Sequence, residues 1–270
     1  MVAEPLLSPF LTALLVTTAA GLATTVGGAM VLFTRRPDPR LLAFGLAFAA
    51  GAMVYVSLAE ILPKATAAFT ALQGERLGLA WSTAAFLTGL LLIVAIDHLI
   101  PNPHDSLDKQ APPFADGNAA QLRKVGLLTA VAITAHNLPE GLATFFATLD
   151  SPALGLPLAM AIAVHNIPEG IAIAIPVFAA TRSRRIALLA SLVSGLAEPV
   201  GALVGYAALG GQINDTLYGW VFGIIAGIMV YLSLDELLPA AKRHAAGHET
   251  VYGLVGGMAL MSISLVLFKW

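Results

Sequence analysis

Apolar residues along this chain neither alternate with polar ones nor gather on one helical face. They run on for 20 residues or more at a time. Eight such runs stand at roughly 10–33, 41–63, 81–100, 124–149, 153–180, 186–209, 216–239 and 250–268. A helix needs about 20 residues to cross a hydrocarbon core of ~30 Å, so each run predicts one transmembrane helix. The alternation of a β-barrel is absent, and the runs are too long for barrel strands. The connections are short. The longest, 101–122 (PNPHDSLDKQAPPFADGNAAQL), is polar and proline-rich and predicts a loop. No segment is large enough for a soluble domain, so the expectation is one transmembrane domain over 1–270. The opening MVAEPLLSPF lacks a positive stretch, so the first apolar run is read as a retained helix.

Composition agrees. The chain is 58% hydrophobic and 11% charged, with a mean hydropathy of +0.84, where a soluble domain carries about a quarter charged residues. The net charge of −2 gives no reason to expect nucleic acid, and the absence of cysteine excludes disulfides and thiolate ligands. The positive residues set an orientation. Arg35, Arg36, Arg40, Lys109, Arg123, Lys124, Arg182, Arg184, Arg185, Lys242 and Arg243 lie on one side; only Lys64, Arg76 and Lys269 lie on the other. The first group is cytoplasmic on this reading. Loop 101–122 lies with it, and both termini are outside.

The chain repeats itself. AHNLPEG at 135–141 returns as VHNIPEG at 164–170; GAMVYVSLAEILPKA at 51–65 returns as GIMVYLSLDELLPAA at 227–241, with ten of fifteen positions identical; GLATTVG at 21–27 resembles GLAEPVG at 195–201. Helix 1 therefore echoes helix 6, helix 2 echoes 7, and helix 4 echoes 5, while helices 3 and 8 show no convincing echo. Each separation is an odd number of crossings, so the copies run in opposite directions. An inverted 3+2+3 repeat of this kind is common in secondary transporters, with the substrate near the midplane.

Both HNxPEG motifs fall near the centres of their helices, where an ionisable residue costs at least ~2.5–3.5 kcal/mol and reads as functional. Residues i and i+4 share a helix face, which sets His136 over Glu140 and His165 over Glu169, with Asn137 and Asn166 bordering that face. Pro139 frees the carbonyl of Ala135 and Pro168 that of Val164; helix breaks of this kind are tolerated where they line a cavity. Glu198, in GLAEPVG, is a third buried carboxylate beside a proline. Imidazole, carboxylate and amide oxygens suit Zn²⁺, Fe²⁺, Mn²⁺ or Co²⁺. A cluster this rich can hold two metals with Glu140 and Glu169 as bridges; the plainer alternative is a set of His–Glu pairs that only join helices.

Other residues are weaker candidates. Glu60 and Glu236 each precede a Leu-Pro or Ile-Leu-Pro stretch and are placed toward the extracytoplasmic ends, as an entrance site, as reach into the cluster, or as interfacial anchors. Met53 and Met229 could each offer a thioether. His98, His104 and Asp105 open the long loop, where hand-off of metal competes with an ordinary solvated loop. His244 and His248 read as interfacial.

The HNLPEG, HNIPEG and GLAEPVG segments, together with MVYVSLAEILP, resemble the ZIP family of divalent metal transporters over essentially the whole chain, in the pattern of a broad-range bacterial branch. The resemblance implies eight helices with both termini outside, uptake of divalent metal (Zn²⁺ first, then Fe²⁺, Mn²⁺, Co²⁺ and Cd²⁺) across a cell (inner) membrane, and a homodimer in many members. Carried over by motif, a first metal position takes His136, Glu140, His165 and Glu169. A second takes Asn137, Asn166 and Glu198 with the two shared glutamates, and Met53 matches a helix 2 residue that ligates in some relatives.

An intramembrane metalloprotease would show H-E-x-x-H, which is absent, and an ATP-driven pump would need a phosphate-binding loop and a domain to hold it. No enzymatic activity and no cofactor are expected. A metal-selective channel would use the same ligands as a carrier; the inverted repeat favours the carrier.

Overall fold

The computed structural model describes residues 8–33, 38–99, 119–209 and 214–268. They form eight long helices: α1 Pro9–Leu32, α2 Pro39–Gln73, α3 Glu75–Leu99, α4 Ala119–Asp150, α5 Pro152–Thr181, α6 Arg184–Ala208, α7 Asp215–His244 and α8 Glu249–Phe268. Seven are long and apolar enough to cross a membrane, and α4, at 32 residues, completes the set. Leu91, Val204, Ile263 and Leu267 are among many large apolar side chains on the outside, as a lipid solvent requires. Side-chain caps mark several starts: Ser8, Asp38, Ser183 and Asn214 each accept from a backbone N–H of the first turn. Gly74, at φ 82°, makes the sharp turn between α2 and α3.

Two expectations are corrected here. The prolines of the HNxPEG motifs do not break their helices: α4 is continuous through Pro139 and α5 through Pro168. Residues 119–122, read as loop, are the first turn of α4; the rest of that loop, with His104 and Asp105, lies outside the described residues.

Helices α2 and α7 run well past the prolines where their apolar runs stop. Each contains a π turn, Ser57–Ile61 in α2 and Ser233–Leu237 in α7, at matching places in the repeat. A proline lacks the N–H that the preceding turn would use. The wider turn just before Pro63 and Pro239 absorbs that mismatch, and such bulges cluster at functional sites.

The inverted repeat is visible in the packing. The association of helices in lipid depends on close backbone approach at small residues. Gly141 on α4 lies against the carbonyl of Glu198 on α6, and its counterpart Gly170 on α5 lies against the carbonyl of Thr24 on α1. Gly21 and Gly195 face each other across the line where α1 meets α6. The same logic pairs α2 with α8 and α7 with α3. Gly257 sits against the carbonyl of Phe48, and Gly89 against that of Ile224, so helices 3 and 8 correspond after all, through one glycine each.

Inversion also overturns the placement of Glu236. Phe69, near the end of α2, packs edge-on against Trp220, near the start of α7, with ring centroids 6.0 Å apart. The two helices are antiparallel, so Glu60 and Glu236 lie toward opposite ends of the molecule.

One end of α1, α4 and α6 is closed by aromatic rings. Phe10 meets Phe145 at 5.5 Å and Tyr206 at 5.0 Å, and Phe145 meets Tyr206 at 5.5 Å and Phe146 at 5.5 Å.

In a helix interior, Gly→Ala ordinarily gains up to about 1 kcal/mol. At Gly170 the added carbon would overlap the Thr24 carbonyl, whereas at Gly256 its nearest neighbour is 3.7 Å away. Gly170→Ala is therefore expected to lower the melting temperature of the purified protein, while Gly256→Ala leaves it level or raises it. Equal melting temperatures would count against the backbone contact.

Candidate metal centre

Helices α4 and α5 cross at their HNxPEG motifs, with α1 and α6 packed on either side. All seven central candidates are buried: His136 is 1% exposed, and Asn137, Glu140, His165, Asn166, Glu169 and Glu198 are at 0%. One donor atom each from Glu140, His165 and Glu169 lies within 4.8 Å of the others. His165 stays within reach of Glu169, four residues on in its own helix, and its Nε2 bonds across to Glu140 Oε1 at 3.0 Å. A hydrogen bond between helices is thus added to the contact that spacing alone suggests. His136 is not part of this tight group; both its ring nitrogens lack a hydrogen-bond partner among the described residues.

The asparagines are held in a symmetrical way that spacing does not reveal. Asn137 Nδ2 donates to the carbonyl of Ser194 at 3.0 Å and to its Oγ at 3.3 Å. Asn166 Nδ2 donates to the carbonyl of Ala20 at 2.9 Å. Ala20 and Ser194 are equivalent, each directly preceding its GLAxxVG segment, which is the signal that could have found them. Each amide thus uses its N–H₂ on a neighbouring helix and leaves its oxygen over. Asn166 Nδ2 also donates to Glu198 Oε1.

What remains over is a set of acceptors. Asn137 Oδ1, Asn166 Oδ1, Glu140 Oε2, Glu198 Oε2, both oxygens of Glu169 and His165 Nδ1 have no hydrogen-bond partner among the described residues. Buried polar atoms are nearly always satisfied, and an unpaired one costs about 1–3 kcal/mol. Buried oxygen and imidazole acceptors without donors, gathered around the Glu140–His165–Glu169 group, form a ligand set that could hold a divalent cation.

The outlying candidates separate. Met53 is fully buried in the apolar core. Glu60 is 6% exposed and pairs with Lys64. Glu236 is half-buried in the π turn of α7. His98 is exposed on α3. Thr24, aligned with Glu198, is fully buried and its Oγ1 has no hydrogen-bond partner among the described residues.

A family model described as ZIP Zinc transporter matches residues 101–265. Zinc transporter ZupT of Stenotrophomonas maltophilia (strain K279a) is 67% identical over 258 residues, spanning 96% of each chain. Zinc transporter ZupT of Neisseria meningitidis serogroup B is 56% identical over 255 residues, 94% of this chain and 95% of its own. That of Chlorobium chlorochromatii is 47% identical over 253 residues, 92% of this chain and 94% of its own.

Glu198 and Thr24 break the symmetry of the donor set, since a hydroxyl is a much poorer ligand than a carboxylate. Glu198→Ala is expected to lose one bound metal and keep weakened transport, with Thr24→Ala changing little. Metal stoichiometry by mass spectrometry on purified protein measures this. Complete loss of metal in Glu198→Ala, or equal damage from Thr24→Ala, contradicts a division into two positions.

Proposed function

The chain belongs to the ZIP family of metal transporters, and from that premise we propose that it carries Zn²⁺, and with it Fe²⁺, Mn²⁺, Co²⁺ and Cd²⁺, into the cytoplasm as a secondary carrier. It is an integral multi-pass membrane protein and a transporter, not an enzyme. Zinc leads because the relatives named above are zinc transporters. The remaining metals follow from a donor set without thiolate, which does not exclude ions that prefer oxygen and imidazole.

The observation that carries the reading is the buried Glu140–His165–Glu169 group. On it we build a binuclear site near the midplane. The first position takes His136, Glu140, His165 and Glu169. The second takes Asn137, Asn166 and Glu198, with Glu140 and Glu169 shared. Met53, Glu60 and Glu236 stand outside this set as candidate additional ligands.

Alternating access is the proposed mechanism. Helices α4, α5 and α6 carry the central donors, and α1 is joined with them by backbone contacts at Gly21, Gly141, Gly170 and Gly195. Helices α2 with α8, and α3 with α7, are joined in the same manner. Between the two sets the approach is looser: a carbon on Gly45 of α2 would stand 4.0 Å from the Pro168 carbonyl of α5, ordinary contact. Helices that are locked within sets and only touching between them suit sliding of one set past the other. A filled site carries fewer uncompensated charges through the apolar barrier than an empty ionised one.

The positive-inside bias supports both termini outside and 101–122 on the cytoplasmic side; inward transport across a cell (inner) membrane is what the family resemblance implies. The single unit 1–270 is the transport domain, and a homodimer is its proposed assembly.

Glu140→Ala and Glu169→Ala are each expected to abolish Zn²⁺ uptake in proteoliposomes with the protein still folded in the membrane; near-normal uptake in either sinks the shared-ligand assignment. Uptake by the unaltered chain is expected to fall on acidification with equal pH on both sides. Carboxylate and imidazole must be deprotonated to bind metal, so protons compete with the ion for the same atoms. A flat rate between mildly acidic and neutral pH contradicts this.

A further inference from the structure

The two π turns are equivalent by the repeat, so each serves as a control for the other. Glu60 in α2 corresponds to Glu236 in α7, and Pro63 to Pro239. Their neighbours differ. Lys64 follows Glu60 by four residues where Ala240 follows Glu236, and Ala59 precedes Glu60 where Asp235 precedes Glu236. Lys64 Nζ forms an ion pair with Glu60 Oε1, with the two side chains 11% and 7% exposed.

A buried ion pair contributes little net stability, because removing both charges from water offsets their attraction. The same turn, with the same proline, also forms in α7 where alanine stands in place of lysine. The π turn itself therefore does not need Lys64.

Two further buried oxygens bear on Glu60, one from its own π turn and one from α7. Ser57 Oγ, three residues back in the same π turn, is fully buried and has no hydrogen-bond partner among the described residues. The phenol oxygen of Tyr218 on α7 is also buried without such a partner, and it lies within electrostatic reach of Glu60 and of Asp150. A carboxylate with two neutral oxygens is a hard donor set of modest strength for a divalent cation. The ammonium that now occupies the carboxylate sits on a flexible four-carbon stem and can move aside.

We propose that Glu60, with Ser57 and Tyr218, is an outer way-station for the incoming divalent cation, and that Lys64 is its resident counter-ion. Lys64 holds the carboxylate when no cation is there and yields it when one arrives. The station rests on the inward-transport reading above, which makes the Glu60 end the outer one. Competition from Lys64 keeps the station weak, so a cation that reaches it moves on to the central donors. The inner counterpart has two adjacent acids, Asp235 and Glu236, and no lysine at the matching position, so the two ends of the path differ in charge although the backbone repeats.

The test uses the full chain with Lys64→Met, Glu60→Gln and the double variant. In proteoliposomes, Lys64→Met is expected to lower the KM for external Zn²⁺ several-fold. Glu60→Gln is expected to raise it, and the double variant to follow Glu60→Gln. A merely structural ion pair gives a different pattern: each single variant reduces the amount of folded protein at unchanged KM, and the double variant restores it. That pattern overturns the proposal. A second arm measures bound Zn²⁺ by mass spectrometry in a Glu140→Ala/Glu169→Ala background, where the central donors do not compete. Adding Lys64→Met there is expected to create Zn²⁺ binding that Glu60→Gln removes. Absence of Glu60-dependent binding overturns the station. The binding arm needs no transport, so failure of the transport reading shows separately, as absent uptake by the unaltered chain.

Discussion

Glu140, Glu169 and Glu198 are buried completely within a helix bundle whose outside is hydrocarbon-like, and no lysine or arginine among the described residues pairs with them. Charges in such a medium need a partner or must give up their ionisation. The side chains around them supply only part of what is missing: an imidazole to one oxygen of Glu140 and an amide N–H to one oxygen of Glu198. The unpaired oxygens of these glutamates and of Asn137 and Asn166 accept and cannot donate. A folded chain that leaves its most expensive groups in this condition is short of positive charge, and transport of divalent metal by the family fits that deficit.

The scaffold that keeps those groups together is built from backbone more than from side chains. In lipid there is no hydrophobic drive to bring helices together, so close approach and hydrogen bonds across helices carry the association. The asparagine amides show both at once. Asn137 and Asn166 anchor to carbonyls of α6 and α1 at equivalent places, and the glycines about one turn away admit the neighbouring backbones. Anchoring occupies the nitrogen of each amide, which in Asn166 also reaches Glu198, and leaves the oxygen over.

The eight helices were legible because lipid solvent demands long apolar runs, and the central candidates were legible because charged residues in those runs have few structural excuses. Partners were not. Spacing set His165 beside Glu169, its own-helix neighbour, and the two do share the group; the hydrogen bond to Glu140 on the crossing helix was hidden, because no one-dimensional pattern encodes a crossing angle. The correspondence of α3 with α8 was invisible because the only shared demand is a small residue at one crossing, met by Gly89 and Gly257 amid unrelated neighbours. The π turns escaped because a proline in an apolar run reads as an end, and a widened turn before it has no residue signature of its own. Glu236 was misplaced although the inversion of its helix was already implied by the count of crossings.

The aromatic closure at one end has no equivalent at the other. By the repeat, Phe10, Phe145, Phe146 and Tyr206 correspond to Arg184, Ala174, Ile175 and Leu32. Edge-on ring pairs contribute about 0.5–1.5 kcal/mol each beyond the area they bury. Two arrangements related by a perfect inverted repeat would have equal energy and equal occupancy. Any arrangement that parts these rings starts from a deficit that its mirror image does not carry. On the proposed alternating-access mechanism, duplication would supply two poses, and a handful of rings at one end would weight the equilibrium toward the one with that end shut.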